Sequence, residues 1–283
     1  MAASLWGVSG AVAAGAFEQV APFRVAQSRF VVAALLLVPF AVWKRAIPPS
    51  GTRVTATLFG LNVAVLTGVF YTALDRLGVG PGATIEFLGP ILVLLWMKYR
   101  QGRDVSNVVW VAAGLALAGT ALLTQAWGSS PPDPIGLAAG LASMILFASY
   151  LLVGEALTDR MSPLTVVAWG VGVAAVFWLV ATPFWRQSYD LPTTVWAALV
   201  WVGIGGTALP FMCEVVALKH VSSGIVGVIA TAEPLIAAAA AWVMLGQILD
   251  PVQLVGAILV VGAVASVQRW GLPEVEVPFE AGR

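Results

Sequence analysis

Charge is what this sequence has least of. Its 283 residues include 14 Lys and Arg and 14 Asp and Glu, 10% of the chain, where a soluble globular domain carries about a quarter. So few charges cannot cover a water-facing surface. With 60% hydrophobic residues and a mean hydropathy of +0.93, most of the chain must have lipid as its solvent. Cysteine and histidine are almost missing too. A lone Cys213 excludes an intrachain disulfide, and a lone His220 excludes any site needing two His ligands. Ser129-Ser130 and Ser222-Ser223 have no convincing His partner, so nucleophilic catalysis finds no support. No enzyme, cofactor or metal is therefore expected. A formal net charge of zero gives no reason to expect a nucleic-acid partner. No basic residue precedes Arg24, so the first apolar stretch lacks the positive start of a signal peptide and reads as a span.

Long apolar runs are what the sequence does have. A bilayer core takes about 20 apolar residues per helix. That ruler gives ten segments, roughly 2–18, 22–43, 54–74, 80–98, 107–127, 135–156, 162–184, 194–217, 222–246 and 250–270. Turn chemistry separates them at Ile47-Pro48-Pro49-Ser50-Gly51, at Gly128 to Pro134 and at Asp190-Leu191-Pro192. The expected fold class is an all-α integral membrane protein. Cytoplasmic loops retain Lys and Arg. With the N-terminus inside, Lys44, Arg45, Arg53, Lys98, Arg100, Arg103, Arg160, Lys219, Arg269 and Arg283 all fall on one side, which predicts ten spans and two cytoplasmic termini.

A shift of 144 residues superposes Pro39-Phe40 on Pro183-Phe184, Ala73-Leu74 on Ala217-Leu218, Gly80 on Gly224 and Pro90 on Pro234. Each half then holds five spans, and an odd number turns the second copy upside down, the inverted-repeat construction of secondary transporters. The expected division is 1–127 for the first repeat and 135–270 for the second. A disordered cytoplasmic tail is expected over 271–283.

The polar exceptions inside the spans carry any chemistry, because a charge at mid-membrane costs about 3 kcal/mol on insertion scales. Glu86 lies in the fourth segment, Glu214 in the eighth and Glu233 in the ninth; Arg29 is the cation well inside a span. Each acid either meets a solute ammonium or a proton, or serves structure by pairing with Arg29 or a neighbouring helix. Pro90 and Pro234 each follow a glutamate closely, and Pro210 precedes Glu214, so bend and acid share a level. These prolines are the candidate hinges. Asn62, Tyr71, Tyr150, Trp169 and Thr207 lie at similar depths, where they either complete a pocket or serve as packing and interfacial anchors. Trp201-Val202-Gly203-Ile204-Gly205-Gly206 reads as close helix packing rather than a nucleotide motif.

The stretch from Val69-Phe70-Tyr71 through Gly82-Ala83-Thr84-Ile85-Glu86-Phe87-Leu88-Gly89-Pro90 resembles the first-half signature of the EamA family of the drug/metabolite transporter superfamily. Thr207-Ala208-Leu209-Pro210 through Glu214, then Ala232-Glu233-Pro234-Leu235 and Leu245-Gly246-Gln247, resembles its second-half signature. Within that family, Ile85 to Pro90 and Ala208-Leu209-Pro210 are most similar to the threonine/homoserine exporter branch. The resemblance implies a ten-helix inverted-repeat fold and an exporter of amino acids or related metabolites in a bacterial inner membrane. It also implies a central cavity near Tyr71, Glu86, Tyr150, Thr207, Glu214 and Glu233. The expected partners are a small solute and the bilayer, and the driving force is either proton exchange through Glu86 or the solute's own gradient, between which the sequence does not decide. Export of drugs or other organic cations, and a non-transporting receptor or assembly subunit, are the alternatives. Where the family often ends its ninth helix in Gly-Glu, this chain has Gly246-Gln247.

Overall fold

Proline and short polar side chains set where the helices start. The computed structural model describes residues 1–17, 19–126, 133–183, 190–245 and 249–271. Among these residues thirteen α-helices run in order: α1 (Ala2–Phe17), α2 (Pro22–Trp43), α3 (Arg53–Leu77), α4 (Val79–Glu86), α5 (Gly89–Tyr99), α6 (Asn107–Leu123), α7 (Pro134–Thr158), α8 (Pro163–Ala181), α9 (Thr193–Gly203), α10 (Leu209–Leu218), α11 (Ser223–Ala230), α12 (Glu233–Leu245) and α13 (Pro251–Ser266). Proline opens α2, α7, α8 and α13, where the missing N–H has no intrahelical partner to lose. Ser106, Asp133 and Ser162 accept from the free N–H groups of α6, α7 and α8, and Asp250 with Gln253 forms a capping box on α13.

Three pairs of helices are single crossings interrupted near mid-membrane. The fourth crossing breaks at Phe87-Leu88 between α4 and α5, and the ninth at Thr231-Ala232 between α11 and α12. Pro90 and Pro234 follow these breaks and withhold the N–H that the carbonyls of Glu86 and Ala230 would have received. The bounds Val79–Glu86 and Ser223–Ala230 differ by the same 144 residues as the sequence repeat. The eighth crossing passes through a π-helical turn, Ile204–Ala208, between α9 and α10. The fifth crossing stops at Leu123, before the expected 127, because Gln125 takes a left-handed conformation (φ 51°).

Eight crossings among the described residues are long and apolar enough to span a bilayer; the 17-residue α6 is a shorter apolar helix. With the 16-residue α1 they make ten. Lipid-facing apolar side chains such as Leu35, Ile145, Val180 and Ile258 stand exposed, as expected where the surrounding solvent is hydrocarbon. Between crossings the helices meet through small residues. A Cβ on Gly256 would lie 2.6 Å from the Gly119 carbonyl oxygen and 2.5 Å from the Leu123 nitrogen, so α13 and α6 touch backbone to backbone. Polar side chains also cross between helices: Asn62 donates to Ser149 at 3.0 Å and Trp169 to Thr57 at 3.1 Å. The expected tail lies, apart from Gly271, outside the described residues, as does Gly246-Gln247.

Candidate functional site

The two helix breaks and the π turn converge on one cavity of about 680 Å³. Glu86 reaches it from the end of α4, Glu233 and Pro234 from the start of α12, Tyr71 from α3, Arg29 from α2 and Gly206 from the π turn. Trp6 and Phe70 add aromatic wall. The lining continues through Ala83 and Gly80 to exposed Asp75 and Val79, and to Thr124 and Gln253. The cavity therefore opens at the face where α3 meets α4, α6 ends and α13 begins.

Arg29 is held by three neutral acceptors. Its Nε donates to the Thr207 hydroxyl at 2.8 Å, Nη1 to the Tyr71 hydroxyl at 2.9 Å and Nη2 to the Gly206 carbonyl at 2.7 Å. That carbonyl is available because residue 210 is proline and has no N–H to return to Gly206, four residues back. Thr207 gives its own proton to the Val202 carbonyl at 2.8 Å, which leaves its oxygen to accept from Arg29. Among the described residues no carboxylate is in ion-pair contact with Arg29, and the ion pairs are Arg76–Asp133 and Arg103–Glu155. Glu233 nevertheless shares the cavity lining with it. Glu86 turns one oxygen, Oε2, into a spot with no hydrogen-bond partner.

Tyr71, Glu86 and Glu233 thus line the cavity, with Pro234 beside them, and Thr207 reaches it through Arg29. Tyr150 and Glu214 do not line it. They form their own buried pair, the phenol donating to Oε2 of Glu214 at 2.8 Å. Phe87, a lining residue, meets Phe147 edge-on at 6.3 Å, and Phe147 stacks on Tyr150 at 6.3 Å, so the pair lies one aromatic layer behind the wall. Pro90 packs against α11 at Gly227, where an added Cβ would lie 3.0 Å from its ring, and Pro210 is buried at the start of α10. Arg29 was missed as a lining residue by sequence reasoning, which weighed it only as a mate for an acid. Gly206 was missed because its glycine-rich stretch reads as packing; Pro210, four residues on, was the available signal.

The opposite end of the bundle is closed. Glu155 near the end of α7 accepts from Arg103 at 2.7 Å and from the Ser223 backbone N–H at 2.9 Å. This ties the α5–α6 connection to the first turn of α11. Beneath it, Gly224 packs against Leu94 and Met97 of α5. Among the described residues, no group of three or more His, Cys, Asp or Glu stands ready for a metal ion.

The model of the EamA-like transporter family matches this chain twice, over residues 1–125 and 134–268. The threonine/homoserine exporter RhtA of Escherichia coli strain K12 is 27% identical over 237 residues, 82% of this chain and 77% of its own. The uncharacterized transporter YwfM of Bacillus subtilis is 25% identical over 265 residues, 90% of this chain and 87% of its own. A solved crystal structure at 20% identity matches with a TM-score of 0.79 over 95% of this chain and 94% of its own, a likeness of fold.

Proposed function

The chain belongs to the EamA-like transporter family, and on that premise we propose that it exports a small amino acid of the threonine or homoserine kind, or a related metabolite, by alternating access. Membership makes it a multi-pass membrane transporter and not an enzyme. The observation that carries the finer reading is the meeting of Glu86, Glu233 and Arg29 in one cavity at two helix breaks. An amino acid offers an ammonium to the carboxylates and hydrogen-bonding groups to Tyr71, while the aromatic walls exclude lipid. The exporter relatives of similar length support the substrate class. We place it in a bacterial inner membrane with both termini cytoplasmic, since the basic loops gather at the closed end. The cavity then faces outward. Glu86, which lines the cavity and buries one carboxyl oxygen without a hydrogen-bond partner, is the residue we assign to any proton coupling.

Counterflow in proteoliposomes tests this. Vesicles loaded with unlabelled threonine or homoserine should accumulate the labelled compound, and Glu86→Ala should abolish the accumulation. No accumulation with any amino acid would overturn the substrate assignment. A second reading, export of organic cations, is favoured by the three carboxylates on the lining, Asp75, Glu86 and Glu233, against one Arg. Stabilisation of the protein by cationic dyes and not by amino acids would select it.

A further inference from the structure

The cavity holds a guanidinium and a carboxyl group that do not meet. Arg29 and Glu233 share its lining, yet they make no ion pair. Two opposite charges in a low-dielectric cavity would close on each other unless something held them apart. The structure shows what does so: Thr207, Gly206 and Tyr71 fix the guanidinium from three directions. Gly206 and Thr207 belong to the π turn, and the Gly206 carbonyl is free for this because Pro210 follows it. The local irregularity of the eighth crossing therefore has a defined product, a guanidinium held away from the acids.

A guanidinium has five N–H donors. Three are engaged by protein acceptors, which leaves two on a residue that lines the cavity. All three acceptors are neutral, so the positive charge has no counter-ion in contact among the described residues. The group that completes such a site is a planar anion that takes two N–H bonds, and a carboxylate has that geometry. A molecule with a carboxylate at one end and an ammonium at the other would span the gap and neutralise Arg29 and Glu233 together.

We infer that Arg29 receives the solute's carboxylate, so that the cavity selects molecules bearing both an acid and an ammonium over amines that lack the acid. The inference rests on the amino-acid reading above and adds the group that tells an amino acid from an organic cation. It also assigns Thr207 and Gly206 as positioning groups for Arg29.

The test measures ligand affinity by thermal stabilisation of the purified full-length protein with three probes. These are threonine, its methyl ester (ammonium without acid) and 2-hydroxybutyrate (acid without ammonium). The wild-type protein should bind threonine at least tenfold more tightly than the ester. Arg29→Gln, checked for monodisperse elution, should bring that ratio to about one while ester affinity holds. If Arg29→Gln does not fold, Arg29→Lys keeps a charge without the fork and should weaken threonine severalfold with the ester unchanged. An unaltered ratio in Arg29→Gln, or unaltered threonine binding in Arg29→Lys, overturns the inference and leaves the amino-acid reading standing. Wild-type binding of 2-hydroxybutyrate as tightly as threonine, lost in Arg29→Gln, upholds the anion site and overturns the ammonium contact. Equal binding of ester and threonine by the wild type, or binding of neither, overturns both.

Discussion

Glu214 and Glu86 are both intramembrane acids, and they differ in what their oxygens touch. Glu214 is 2% exposed and receives the Tyr150 proton inside an aromatic cluster. Glu86 lines the cavity and buries Oε2 without a hydrogen-bond partner. Removing a donor from a buried acceptor costs about 1–3 kcal/mol. Tyr150→Phe should therefore lower the melting temperature in detergent while leaving the threonine concentration for half-maximal counterflow unchanged. Glu86→Gln should do the opposite: stability held, pH-driven transport lost, exchange surviving. Full pH-driven uptake by Glu86→Gln would remove Glu86 from proton coupling. The depth of all three acids is legible in the sequence because it is a count along an apolar run. Rotation about the helix axis is not legible, and it sends Glu214 behind the aromatic layer. The grip on Arg29 is hidden for another reason: Thr207 and Gly206 lie 178 and 177 residues away in sequence.

Among the elements, the interrupted crossings divide by how they are encoded. The breaks at Phe87-Leu88 and Thr231-Ala232 are announced by Pro90 and Pro234, which cannot continue the hydrogen-bond ladder. Span ends are legible in the same way, through Pro22, Asp133-Pro134, Ser162-Pro163 and Asp250-Pro251. The π turn is not, because glycines before a proline serve helix packing just as well. Pro210→Ala tests its role by supplying an N–H that competes with Arg29 for the Gly206 carbonyl. Threonine binding should weaken severalfold with expression retained; unchanged binding would show that the turn does not depend on the missing donor. Gly256→Ala tests a different element. Its Cβ would fall 2.6 Å from one backbone atom and 2.5 Å from another, which only separation of α6 and α13 relieves. A loss of about 1–3 kcal/mol is expected from such overpacking, read as an earlier thermal transition in detergent.

For the molecule as a whole, open and closed ends are held by unequal means. Glu155 fastens the closed end through Arg103 and Ser223. With the side chains of the Arg103–Glu155 pair 40% and 19% exposed, the ion pair contributes about 1 kcal/mol or less. Glu155→Gln should thus raise the population open at that end by up to about fivefold. Maleimide labelling of Leu94→Cys in a Cys213→Ser background reads the change, and an unaltered rate would show that Glu155 is not a latch. The helices α4 and α11 are equal in length and register, yet one lines the open cavity while the other has its first turn tied down by Glu155. Under the alternating access proposed above, the same eight-residue unit would be seen once in each of its working poses. On the proposed transport cycle, exchanging the poses of the two helices would open the end that Glu155 holds shut, with Val79 brought into packing and Ser223 released, so a single conformation would carry a template for the other half of the cycle.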